Sequence, residues 1–165
     1  MSTPSAPPPA HMPANFYACY TDYMTALEAL KLLHIGESFY AISLVHAPGL
    51  CHPIDKELSS VDPVLTFFHS RRQAPTRPPC TEASGFFCMF KDSFLTATMR
   101  NTIDALPMFD GSGSPVYALR ENQEQYLVNV FRNIHTEAQS DYIFKTSLLQ
   151  TYIMELIHYA LKMTH

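Results

Sequence analysis

Any chemistry in this chain has to come from a few residues. His46, Cys51, His52 and His69 sit in its first half. Neutral imidazole and thiolate are ligands that zinc and iron accept. A metal-dependent enzyme built on short strands usually combines two histidines one residue apart with a nearby glutamate. Here His46 and His52 are separated by a Pro48-Gly49 turn, His69 falls on another segment, and no H-x-H occurs. Isolated polar histidines are therefore the expectation, and no metal site is assigned. Nucleophilic catalysis has less to work with. Gly111-Ser112-Gly113-Ser114 is a plain linker rather than a strained strand-to-helix elbow. With 5 glycines in the chain there is no phosphate-cradling loop. No catalytic residue, no cofactor and no enzyme activity are expected. The alternative is a stand-alone metal-binding enzyme using His46, His52 or His69.

A binding pocket is the better-supported chemistry. The chain holds 11 Phe and 9 Tyr but no Trp, and a ring-rich core can also line an apolar cavity. In Phe39–His46, alternation puts Tyr40, Ile42, Leu44 and His46 on one face. Leu65, Phe67 and His69 form a second such set, and Phe86, Cys88 and Phe90 a third. If these faces line the inside of a small barrel, Tyr40, Ile42, Leu44, His46, Phe67, His69, Phe86 and Cys88 make an aromatic effector pocket with two imidazoles at its rim. A filled core with no ligand is the equal alternative, and the opposite parity remains open. Arg71 could pair with an acidic effector, although a solvated loop position suits it as well.

The elements that would carry these residues follow from pattern. Pro4, Pro7, Pro8, Pro9 and Pro13 make residues 1–15 an extended arm. Residues 22–34, entered at Asp22, favour a short helix with Leu27, Leu30 and His34 on one side. From Phe39 to Phe94 the reading is β: strands at 39–46, 64–69 and 85–90, punctuated by Pro and Gly. A helix is expected over 92–105. Residues 121–138 then place Leu127, Val130, Phe131 and Ile134 on one helical stripe. A longer helix over 141–163 has two apolar stripes. One is Phe144, Leu148, Tyr152 and Tyr159; the other is Leu149, Ile153, Leu156, Ile157 and Ala160. Two stripes imply two surfaces, and the second is assigned to a homodimer interface. Strands followed by helices give α+β with segregated elements.

Bulk properties exclude other classes. A net charge of −4 and a pI near 6.0, with Arg71, Arg72 and Arg77 as the only basic cluster, argue against DNA binding by this chain itself. The 4 cysteines form no CxxC pair, which suits reduced thiols in a cytoplasmic protein. Neither a membrane span nor a signal peptide is expected, so no membrane partner is assigned.

Several segments in order resemble the N-terminal half of AraC/XylS-type transcription regulators. Val64–Gln73 resembles that family's "l-x-F-f-x-P-g-Q" strand and loop, with Arg71-Arg72 in place of Pro-Gly. Gly85–Leu95 looks like its "G-y-x-x-x-F-x-x-x-F-L" strand-to-helix signature. Leu106-Pro107-Met108-Phe109 resembles "l-p-f-F", and Phe131–Glu137 resembles "f-x-x-i-x-x-E". Residues 142–163 match the second helix of the pair. Val61-Asp62-Pro63 departs from the family's Pro-Gly turn. The resemblance covers residues 39–163. It implies a cupin-like β-barrel that holds a small effector, followed by a dimerising helical pair. It further implies a bacterial regulator that reaches DNA only through a helix-turn-helix half, expected beyond His165 in a longer protein. The boundaries that follow are a Pro-rich arm at 1–15, an effector-binding barrel at 16–115 and dimerisation helices at 116–165.

Overall fold

The computed structural model describes residues 12–22, 37–46, 63–71 and 84–164; for Thr21, Asp22 and His46 it describes the backbone. Five strands, β1 (Phe16–Asp22), β2 (Phe39–His46), β3 (Val64–His69), β4 (Ser84–Lys91) and β5 (Val116–Ala118), form one antiparallel sheet in the order β1-β4-β2-β3-β5. Between β4 and β5 come a 3-10 turn (Asp92–Phe94), α1 (Ala97–Asp104) and α2 (Pro107–Asp110). Two long helices follow, α3 (Glu121–Ala138) and α4 (Lys145–Met163). The protein is thus α+β, as expected.

Register explains why the sheet takes this order. Three rungs of side chains cross it on one face. The first is Phe16, Phe90, Tyr40 and His69; the second is Ala18, Cys88, Ile42 and Phe67; the third is Tyr20, Phe86, Leu44, Leu65 and Tyr117. A one-residue slip of any strand would turn its whole apolar set away from this face. The opposite face carries a smaller cluster of Phe87 and Met89 with Tyr17, Cys19, Ala41 and Val45. β4 is apolar on both faces, hence its nearly continuous hydrophobic sequence and its place between β1 and β2.

Gly85 has a specific steric role. A Cβ at this position would lie 2.0 Å from the carbonyl oxygen of Leu44, so the β2 backbone can approach only a glycine. The helices have local signals as well. The Thr96 hydroxyl accepts the Met99 N–H at 3.2 Å, Pro107 opens α2, and Gly111, at φ 86°, follows its last turn.

Four expectations are corrected. The described strands form an open sheet, with β1 and β5 as its two edges, and not a closed barrel. Its apolar face is closed by α2 and α3 rather than by further strands, and one continuous core joins it to both long helices. Second, Phe16–Asp22, where no strand was expected, is an edge strand; the helix expected over residues 22–34 lies, beyond Asp22, outside the described residues. Third, Met12–Asn15, assigned to the arm, are tied to the sheet. Asn15 accepts the Lys91 N–H at 3.0 Å, and Met12 packs on the core. Fourth, the stripe assigned to a homodimer interface, Leu149, Ile153, Leu156, Ile157 and Ala160, is 0% exposed within one chain. It belongs to the protein's own core, where α4 packs on α3 and Gln150 donates to the Phe94 carbonyl at 2.7 Å.

Candidate effector site

The residues expected to line a pocket share the helix-covered face, and they divide by rung. Ile42, Phe67 and Cys88 lie at the centre. All three are buried, and Phe67 meets Phe109 and Tyr117 edge to face at 5.7 Å each. Burial pushes the Cys88 thiol up, away from the thiolate. This part of the expected pocket is a packed core. The side chain of His46 lies outside the described residues.

Tyr40 and His69 occupy one end of the face, within a polar network. His69 Nε2 lies 3.3 Å from Asp92 Oδ1, and the Ser38 hydroxyl donates to Asp92 Oδ2. Arg71, mostly exposed, reaches the same carboxylate at 3.9 Å. The Tyr40 ring packs on His69 with centroids 4.3 Å apart, and its hydroxyl donates to Asp104 at 2.6 Å. Burial first, and then Asp104, push the Tyr40 hydroxyl well above the ordinary phenol range. These bonds tie the start of β2, the end of β3 and the turn after β4 to one another. Ser38 and His69 both face Asp92, so the arrangement is a clamp on a carboxylate. It lacks the serine–histidine contact that would activate a nucleophile. Asp92, expected only as a helix start, is the centre of this network.

Leu44 and Phe86 stand at the other end, where β1 and β2 finish and β4 begins. There the packing opens into a cleft of about 460 Å³ lined by Tyr20, Leu44, Gly85, Phe86, Glu124, Val128 and Arg132. Its floor is the Phe86 ring, which lies against Phe131 of α3 at 5.7 Å and meets Tyr20 edge to face at 4.8 Å. Its far wall is α3, and Glu124, Val128 and Arg132 line that wall at intervals of four residues. The volume falls within the range of small-molecule pockets. Of the expected effector residues, this cleft brings together Leu44 and Phe86.

Besides the backbone of Gly85, sequence reasoning missed four side chains of the cleft: Tyr20, Glu124, Val128 and Arg132. Tyr20 had no signal, because β1 was not expected. The other three were legible in principle: their spacing puts them on one line of α3, beside its buried stripe.

Among the described residues no three His, Cys, Asp or Glu side chains converge as metal ligands, and Cys51 and His52 lie outside them. No helix among the described residues is long and apolar enough to cross a membrane. In the comparisons with known proteins, no family model, no curated protein and no solved structure matches the chain.

Proposed function

We propose that the chain is the ligand-sensing and dimerisation half of an AraC-type transcription regulator. In this reading it is a bacterial cytoplasmic module that touches DNA only through an attached helix-turn-helix half. The observation carrying the proposal is where the family-like residues fall. Gly85 is the close-approach glycine of β4. Phe90, Phe94 and Leu95 are buried through the strand-to-turn step, Phe109 caps the aromatic core, and Phe131 and Ile134 seat α3 on the sheet. A pattern carried by core positions in one continuous order is what a shared frame requires. The proposal needs only this sheet-and-helix frame and an effector cleft; a closed cupin barrel is no part of it.

Pairing with a second copy belongs to the same proposal, on a surface other than the buried α4 stripe. Tyr142, Ile143 and Phe144 are consecutive, large and apolar, and Ile143 is 84% exposed. They stand where the chain turns from α3 into α4, and a clustered apolar surface of this kind suits a partner subunit. The functional test is to read the gene beyond the codon for His165 and assay the whole product by gel shift against the DNA upstream of its own gene. The proposal expects a basic segment with two helix-turn-helix patterns and retarded DNA, with no retardation by residues 1–165 alone. A gene ending at His165, or a longer product that leaves the DNA unshifted, contradicts it.

A further inference from the structure

We propose that the cleft between α3 and the sheet binds a flat aromatic anion, apolar across its rings and carrying one oxyanion group at its edge. This deepens the sensing reading: the role of such a ligand as effector rests on that reading, while the binding itself does not. Two side chains of the cleft are charged, and they stand differently. Glu124 already interacts with another group of the chain. The Arg132 guanidinium makes no hydrogen bond or ion pair among the described residues. Its helical neighbours at three and four residues are Val128, Asn129, His135 and Thr136, none of them a carboxylate. The charge that the cleft leaves open is therefore positive.

Around that charge the cleft is apolar. The Phe86 ring at its floor is braced by two others, stacked on Phe131 at 5.7 Å and met edge to face by Tyr20 at 4.8 Å. Leu44 and Val128 add to the lining, and Gly85 adds backbone without a side chain. Tyr20 is 64% exposed, a large ring left to water that a ligand ring would cover. Arg132 and Phe86 line the same cleft, so a ring laid against Phe86 can bring its oxyanion to the guanidinium. The planar fork of arginine pairs with two oxygens of such a group at once. A neutral ring would forgo this contact, and a cationic one would be repelled.

The test is fluorescence titration of the 165-residue chain with 8-anilinonaphthalene-1-sulfonate and with N-phenyl-1-naphthylamine, which has the same rings and no sulfonate. Saturable binding is expected, with the anion about fivefold tighter, the upper end for an ion pair open to water. Arg132→Gln should erase that difference and leave the neutral probe unchanged, while Arg132→Lys should keep a preference for the anion. Tyr20→Ala should weaken both probes. Arg132 and Tyr20 are exposed, so these variants should keep the fold, and circular dichroism checks this. Ile143→Asp, in the other exposed apolar patch, should change neither affinity. No saturation, equal affinity for the two probes, or binding lost with Ile143→Asp and indifferent to Arg132→Gln overturns the proposal. If the predicted binding holds while the whole gene product fails to shift DNA, the site stands and the regulator reading fails.

Discussion

Asp92 is met by side chains from two other segments of the chain, and its position explains why. It opens the turn after β4, so its side chain points back across the ends of β2 and β3, where Ser38, His69 and Arg71 converge on it. A half-buried carboxylate held this way fixes three chain segments with one side chain. Replacing Asp92 with Ala removes the acceptor of Ser38 and leaves His69 buried beside a gap. The expected cost is about 2–3 kcal/mol in urea unfolding, the scale of losing hydrogen bonds to a charged group. A loss below about 0.5 kcal/mol would reduce the network to surface decoration. Asp92 is visible in the sequence only as a helix-start residue. Its real partners come from segments whose meeting depends on the strand order, and periodicity carries no information about that order.

At the level of elements, α4 shows what a pattern can and cannot say. Its two apolar stripes are legible from spacing alone. Which stripe faces inward was not legible, because helical period fixes the angle between stripes and not the neighbour each one meets. The structure puts Leu149, Ile153, Leu156, Ile157 and Ala160 inside. Ile153→Ala should therefore cost about 2–5 kcal/mol, the range for emptying a packed core site. The unfolding midpoint should fall by the same amount at low and high protein concentration. Ile143→Asp, by contrast, should leave the midpoint of the isolated fold nearly unchanged and lower the apparent mass in sedimentation. Should Ile153→Ala change association and not stability, the packing described for α4 would be wrong. The strands tell a similar story. β2, β3 and β4 announce themselves by alternation and aromatic content, and the matched parity of Tyr40, Leu65 and Phe86 follows once they are paired. β5, three residues long, and β1, whose Phe16–Asp22 precedes a helix-favouring stretch, give too little periodicity to be read.

For the whole molecule, the open sheet changes where an effector can sit. A closed barrel would have offered its interior; here the corresponding side chains are spent on a core shared with α2, α3 and α4. Space remains at one end, against α3, the helix that also carries the junction to α4. A ligand there touches β1, β2, β4 and α3 at once, so it can favour one setting of the helical pair over another only by binding the two settings unequally. That is the link between the candidate cleft and the proposed pairing. The most direct measurement joins residues 1–165 to a monomeric helix-turn-helix DNA reader and compares operator affinity with that of the reader alone. Pairing makes the second half-site contact intramolecular, and avidity gains of this kind run to about 10²–10⁴-fold. The account predicts a gain of at least about tenfold that Ile143→Asp abolishes. A fusion that binds its operator no better than the bare reader would contradict it.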